Sequence, residues 1–258
     1  MSDYEHINVW TEGKVGVIQL NRPESLNALN RKMIEEIVTQ LEEFERQSDV
    51  RVSVIRGNEK TFAAGADIDE MLGETPLSFE LANPFAVWDR VMAIQKPVLA
   101  SVTGYALGGG FELALHCDLI IAAEDAKFGF PEVNLGVMPG AGGTQFLTRI
   151  IGKRKALEWI WFGDHKSAIE AEQLGIVNRI VAPELIFEET MQFAKKLAEQ
   201  PPIALRLIKE AVNKAEDVPL REGLTLERKN FYLAFDSNDQ KEGMRAFVEK
   251  RRPSFKGE

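Results

Sequence analysis

The rhythm of hydrophobic and polar positions changes several times along the chain. Near its start, Ile7 and Val9, then Val15, Val17, Ile18 and Leu20, flank Thr11-Glu12-Gly13-Lys14. Short apolar runs on either side of a glycine turn predict a β-hairpin. Asn21-Arg22-Pro23-Glu24 ends it. Over 31–47, Met33, Ile34, Ile37, Val38, Leu41 and Phe44 recur at helical spacing with Glu and Arg between them. That spacing predicts an amphipathic helix. Val52 to Ile55 reads as a short strand closed by Gly57-Asn58, and 78–94 as one helix between Pro76 and Lys96-Pro97. Val98 to Val102 and Leu119 to Ala123 are uninterrupted apolar runs. Such runs fit strands covered on both faces, as in parallel sheets. A short helix is expected between them, at 110–117. Strand and helix in alternation define an α/β class.

From Gly152 onward the pattern becomes helical. Segments 152–162, 167–173, 184–200, 202–216, 219–234 and 238–249 read as helices, and only Ile176 to Val181 as a strand. Pro183, Pro201, Pro202 and Pro219 stand near helix starts, where a missing N–H costs nothing. The last part of the chain is therefore expected to be an all-helical appendage to an α/β body.

Composition narrows the picture a little. With 258 residues, 45% of them hydrophobic and 28% charged, the chain can bury a core without disulfides or a structural metal. Its 31 Lys and Arg against 40 Asp and Glu give a net charge of −9. That is a poor balance for nucleic acid, which is bound through phosphate neutralisation. The basic tail, Lys250, Arg251, Arg252 and Lys256, reads as a solvated C-terminus. Cys117, the one cysteine, is expected as a small buried residue rather than a nucleophile. The opening Met1-Ser2-Asp3-Tyr4-Glu5 has no apolar signal core, and no run approaches the ~18–20 apolar residues of a membrane span. A cytoplasmic location is the expectation.

Several chemistries are absent from the sequence. There is no GxxxxGK[ST], no GxGxxG, no GxSxG and no HExxH. His6, His116 and His165 share no metal-ligand spacing. His116, four residues after Glu112, either bonds that carboxylate or is simply packed. What remains is glycine-rich. In YALGGGFELAL, 105–115, three glycines follow a buried strand and open a helix. The pattern supports two readings equally: a tight strand-to-helix turn, or uncovered N–H groups offered to an anionic oxygen at the positive end of a helix. VMPGAGGTQ, 137–145, and FAAGADI, 62–68, add two more glycine-marked loops. Glu112 and Glu132 lie in apolar, glycine- or proline-marked contexts, where an exposed carboxylate is less expected.

In order and in one frame, NRPESLNAL (21–29), FAAGADI (62–68), KPVLASVTGYALGGGFELAL (96–115), FGFPEVNLGVMPGAGGTQ (128–145) and EGMRAFVEKRRPSF (242–255) resemble the crotonase superfamily of enoyl-CoA hydratases and isomerases. The resemblance implies a spiral of ββα turns with two roughly perpendicular sheets over residues 1–195. It implies a helical oligomerisation region over 196–258, forming homotrimers or dimers of trimers. The implied ligand is an acyl thioester of coenzyme A, with no separate cofactor and no metal, nucleic acid or membrane partner. The implied reaction is syn hydration of a trans-2-enoyl-CoA, in fatty-acid β-oxidation or a related acyl-CoA degradation route.

Residue by residue, Glu112 and Glu132 match the family's two glutamates, and the backbone N–H groups of Ala66 and Gly109 match its oxyanion hole. The stretch Ala64, Ala66, Asp67, Ile68 resembles the adenine-binding loop, and Gly140 the start of a helix aimed near the thioester. Phe247 and Lys250 resemble tail positions reaching the nucleotide. Phe85, Trp88 and Met92, with Phe130, resemble the acyl-pocket region. Asp69 stands where many relatives carry lysine, and Phe130 where many hydratases are polar. Enoyl isomerisation is the enzymatic alternative, and RNA binding, known in one branch of the superfamily, the alternative of another class.

Overall fold

A computed structural model describes residues 4–258; Met1 to Asp3, the start of the acidic opening, lie outside the described residues. The hairpin is β1 (Ile7–Glu12) and β2 (Val15–Leu20), with the turn reduced to Gly13-Lys14. The amphipathic helix is α1 (Arg31–Arg46), capped by the Asn30 side chain, which accepts the Met33 N–H at 2.8 Å. The chain then alternates between two sheets. From β3 (Val52–Arg56) it passes to β4 (Thr61–Ala63), then through α2 (Pro76–Ala82) and α3 (Ala86–Met92). From β5 (Val98–Val102) it passes to β6 (Tyr105–Leu107) and α4 (Gly109–His116). From β7 (Leu119–Ala123) it passes to β8 (Lys127–Gly129) and α5 (Gly143–Ile151). The first strand of each pair joins a six-stranded sheet, β1-β2-β3-β5-β7-β10, and the second a four-stranded sheet, β4-β6-β8-β9. After α6 (Lys153–Phe162) come β9 (His165–Ser167), α7 (Ala168–Gln173), β10 (Arg179–Val181), α8 (Ile186–Ala198), α9 (Pro202–Lys214), α10 (Leu220–Ala234) and α11 (Asn238–Val248). Two sheets wound by repeated ββα turns, with a helical C-terminal region, are the crotonase fold.

The continuous apolar runs owe their composition to burial on both faces. In β7, Ile120 and Ala122 face a core shared with α1 and the small sheet. Ile121 and Ala123 face a second core, closed by Ile186, Met191, Ala194 and Ala198 of α8. The period of two along a strand sorts neighbours between the two layers. Residues 186–198 thus belong to the body, and α8 runs on past residue 195. The last three helices differ: α9 buries no residue, α10 only Asn230, and α11 only Asp239 and Ala246. Their apolar side chains, including Ile208, Val212, Phe231, Tyr232 and Phe247, are exposed in the single chain.

Three expectations need correction. The single helix at 78–94 is two, because Asn83 adopts a left-handed φ of 40° and Pro84 follows it. The strand expected at 176–181 is limited to Arg179–Val181, with Ile176 and Val177 buried ahead of it. The four strands of the small sheet have three residues each; none of β4, β6, β8 and β9 was predicted, since three residues carry no measurable alternation.

Candidate active site

The strand-to-helix turn after β6 sets the site. Gly108 has φ 47° and ψ −124°, a conformation that a Cβ strongly disfavours. A Cβ there would also stand 2.9 Å from Oε1 of Glu132. Gly110 has a different need: its Cβ would meet the carbonyl oxygen of Ala63 at 2.2 Å, so α4 can lie this close to β4 only without a side chain. Between them, Gly109 opens α4, and its Cβ position is 3.4 Å from the amide nitrogen of Ala66.

Ala66 is presented from the other side. It bridges Leu29 in parallel: the Leu29 N–H donates to Gly65 O at 2.8 Å, and the Asp67 N–H to Leu29 O at 3.0 Å. Both bonds are made by the neighbours of Ala66, so its own N–H faces away from Leu29. Among the described residues, neither the Ala66 nor the Gly109 N–H donates to a protein acceptor, and both residues line one cavity of about 570 Å³. Glycine is required by the packing, and the packing brings an unpaired helix N–H beside another unpaired N–H.

Glu112 and Glu132 line the same cavity. Glu112, on the first turn of α4, is buried; its Oε1 accepts the N–H groups of Ala141 and Gly143, each at 2.8 Å. Gly143 is the first residue of α5, so the positive end of that helix faces the carboxylate. Burial nevertheless raises the Glu112 pKa, with the two amide donors pulling the other way. Glu132 lies in the 3-10 turn Pro131–Leu135. Its Oε2 is buried and accepts no hydrogen bond. Burial, reinforced by the negative charge of Glu112, pushes its pKa up to about 7, against the pull of its own backbone N–H. Two like side chains thus stand in unlike surroundings: one has two fixed donors, the other a buried oxygen with none.

Of the remaining sequence-predicted positions, Ala64, Asp67, Ile68, Gly140, Phe85 and Trp88 line the cavity. Gly140 does not start a helix. α5 begins three residues later, and Gly140 instead lets the Phe85 ring lie against the backbone, where a Cβ would stand 2.9 Å from the ring. Asp67 is paired with Arg22 at 3.0 Å. Four positions are not among the lining residues. Met92 is 52% exposed at the end of α3. Phe130 is fully buried behind the site, stacked on Phe111 with centroids 4.8 Å apart. Phe247 is 86% exposed on α11, and Lys250 lies in the turn beyond it with φ 54°.

His116 bonds the backbone rather than the carboxylate of Glu112, its Nδ1 lying 2.9 Å from the carbonyl oxygen. It is packed between Trp88 and Phe146, and burial lowers its pKa. Cys117 is buried, and burial pushes its thiol pKa up. Sequence reasoning missed Ile34, Met71, Phe79, Leu135, Val137 and Met138 in the lining. Ile34 follows the helical core pattern of α1, so its spacing carried no signal of a cavity. Leu135, Val137 and Met138 lie in a segment already matched to the superfamily, and three apolar side chains in a stretch marked by Gly136 and Pro139 were a usable signal.

Unpaired amide donors can stabilise negative charge on a carbonyl oxygen, and paired carboxyls beside them can move protons. Residues 11–258 match the family described as Enoyl-CoA hydratase/isomerase. A probable enoyl-CoA hydratase of Rhizobium meliloti is 49% identical over 253 residues, covering 98% of each chain. A mitochondrial enoyl-CoA hydratase of Pongo abelii is 48% identical over 261 residues, covering 99% of this chain and 89% of that one. The crystal structure of an enoyl-CoA hydratase subunit of Geobacillus kaustophilus superposes with a TM-score of 0.98 at 61% identity over the whole of both chains. The chain belongs to the enoyl-CoA hydratase/isomerase family and is an enzyme of that family. No helix among the described residues is long and apolar enough to cross a membrane.

Proposed function

We propose that the protein hydrates trans-2-enoyl-CoA thioesters to 3-hydroxyacyl-CoA. The observation that carries this reading is the pair Glu112 and Glu132 in one cavity with the unpaired amides of Ala66 and Gly109. The thioester oxygen accepts both N–H groups. As water attacks C3, the C2=C3 electron pair moves toward C1, and the negative charge that develops on the thioester oxygen meets the two donors. Losing one such donor typically costs about 10²–10³ in rate. Glu112, whose ionised form is favoured by the Ala141 and Gly143 amides, holds the water and takes its proton. Glu132, with a pKa raised to about 7, delivers a proton to C2. Both carboxyls act from one side of the double bond, so addition is syn. One proton leaves the water and one reaches C2, and exchange between the carboxyls and solvent resets the site. A double-bond isomerase of the same family needs a single carboxyl to shuttle one proton, so the presence of both favours hydration.

The rest of the reading is coarser. The exposed apolar faces of α9, α10 and α11 fit contact with further copies of the chain in a homotrimer or a dimer of trimers. Phe247 and Lys250 would then reach the nucleotide of a neighbouring site. An acyl-CoA degradation route, such as fatty-acid β-oxidation, would supply the substrate.

The test follows loss of the conjugated thioester absorbance of a short trans-2-enoyl-CoA. Glu112→Gln and Glu132→Gln should each lower the rate by about 10²–10⁴, and the wild-type rate should fall as pH rises past about 7, where Glu132 loses its proton. Variants that keep the wild-type rate would refute the carboxyl-pair mechanism.

A further inference from the structure

The Ala66 amide belongs to a loop, outside the strands of either sheet, and its direction is set by the parallel bridge to Leu29. The Leu29 side chain also stands 3.8 Å from the Cβ position of Gly109, so both unpaired amides depend on where Leu29 lies. One side chain reaches both flanks of that bridge. Arg22 Nη1 donates to the carbonyl oxygen of Ala28, next to Leu29, at 2.6 Å, and lies 3.0 Å from Oδ2 of Asp67, next to Ala66. The ion pair is largely out of water, with side-chain exposures of 14% for Arg22 and 17% for Asp67. Arg22 is itself anchored. Its backbone N–H donates to Oδ1 of Asn27 at 2.9 Å, and the buried Asn27 donates through Nδ2 to Phe62 O of β4 at 3.1 Å. Leu26 O accepts the Ala64 N–H at 3.1 Å. Leu26 and Asn27 keep left-handed backbone, at φ 52° and 55°. At a leucine that conformation costs free energy, and it persists where the surroundings over-determine it.

We infer that Arg22 is a positioning residue for the oxyanion donors: it ties together the two chains of the Leu29–Ala66 bridge and so fixes the direction of the Ala66 N–H. The inference rests on the reading that a thioester oxygen accepts the Ala66 and Gly109 amides. Arg22 is not among the residues that line the cavity, so its effect passes through Ala28 and Asp67. Without the guanidinium, the Asp67 carboxylate keeps the Asp69 N–H at 3.2 Å but loses its counter-charge. A mostly buried carboxylate left unpaired turns toward water, and Ala66 is the residue joined to it. A donor swung off line stabilises the developing charge less. Because that charge grows in the transition state, kcat falls more than KM rises.

Infrared difference spectroscopy of the full chain with butyryl-CoA, isotope-labelled at its thioester carbonyl, reads the donors without turnover. Hydrogen bonding weakens the C=O bond, so binding to wild type should lower its stretching frequency. In Arg22→Gln, and in Arg22→Lys, which keeps the charge but not the planar fork, the band should move back toward its free position and broaden. Turnover of a short trans-2-enoyl-CoA by both should fall by about 10–10² in kcat, short of the loss of a whole donor, with KM changing by less than about threefold. Asp67→Asn, which keeps an acceptor for Arg22, should lie between these variants and wild type. Asp118→Asn is the control: it breaks an ion pair of similar exposure, with Lys209 at 2.7 Å, and neither residue lines the cavity. It should leave the band in place. A band unmoved in the Arg22 variants that fold would overturn the inference. So would an equal movement in Asp118→Asn, which would make the effect a general loosening. No lowering on binding to wild type would instead remove the oxyanion reading itself, and the inference with it.

Discussion

Replacing Glu132 by glutamine should stabilise the protein at alkaline pH while removing its activity. The carboxyl is raised from 4.5 to about 7 by burial and by the charge of Glu112. A folded-state pKa above the unfolded one means that the protonated group contributes stability fully present below pH 4.5, which is lost as pH rises through about 7. At about 1.36 kcal/mol per pH unit, the upper bound on that loss is about 3.4 kcal/mol. Glu132 is only partly buried, so solvent screening reduces the figure to about 1–2 kcal/mol. Glutamine has nearly the same shape and no proton to lose. For a chain of this size, about 1 kcal/mol shifts the melting temperature by roughly 2–4 °C.

The assay is a thermal melt of wild type and Glu132→Gln at pH 5 and pH 8. Any change in packing or hydrogen bonding on substitution is common to both pH values and cancels in the difference of differences. The melting temperature of the variant relative to wild type should be higher at pH 8 than at pH 5 by roughly 2–8 °C. A difference of zero, or one of the opposite sign, would show that Glu132 is not a strained carboxyl and would remove the basis for its acid role.

Two further substitutions test how the site is built. Gly108→Ala combines a φ of 47° with a Cβ 2.9 Å from Glu132 Oε1. It should destabilise the fold by about 1–3 kcal/mol and cut turnover well beyond that loss, and a variant with normal kinetics would refute the placement of Glu132 over this turn. Phe111 is fully buried against Phe128, Phe130 and Trp159, at centroid distances of 5.2, 4.8 and 5.6 Å. Phe111→Ala should cost about 3–5 kcal/mol in a denaturant titration, and a cost under about 1 kcal/mol would mean that this ring cluster is not the backing of the site.

Much of the body was legible because burial leaves a signature in composition. Val98 to Val102 and Leu119 to Ala123 are apolar at every position, since both faces of the large sheet are covered. Arg31–Arg46 shows its stripe because only one of its faces is covered. The small sheet left no such mark. The side chains of Thr61–Ala63 and Lys127–Gly129 have too few neighbours in sequence to establish a period, and their pairing is fixed by contacts far along the chain. The break at Asn83 had a mark in the sequence, the Asn83-Pro84 turn signal, which the apolar spacing on either side outweighed. In the site, the positions of Glu112, Glu132, Ala66 and Gly109 came from the superfamily resemblance, and spacing alone left them open. The amides that hold Glu112 come from 29 and 31 residues away, a relation that no local pattern encodes. Phe130 was read as a pocket residue from the superfamily resemblance. Its side chain points instead into the aromatic cluster behind the site, and residues that adjoin in sequence need not share a face.

The contrast between the two carboxyls links the fold to the chemistry. A pair of buried glutamates in equal surroundings would share one proton, with neither acid nor base role assigned. Here the start of α5 breaks that symmetry. Its first N–H and that of Ala141 both converge on Glu112, so ionisation is directed to that carboxyl. The resulting negative charge then raises Glu132 further, adding to what burial of a partnerless oxygen already does. Donors given to one group therefore tune both: removing them would leave Glu112 more protonated and, by the same step, lower the pKa of Glu132. The glycines that admit α4 against β4, and Glu132 against Gly108, are what bring the two carboxyls close enough for this coupling. The cost is a carboxyl that destabilises the fold when it ionises, and that cost comes from the same burial and charge that raise its pKa to about 7.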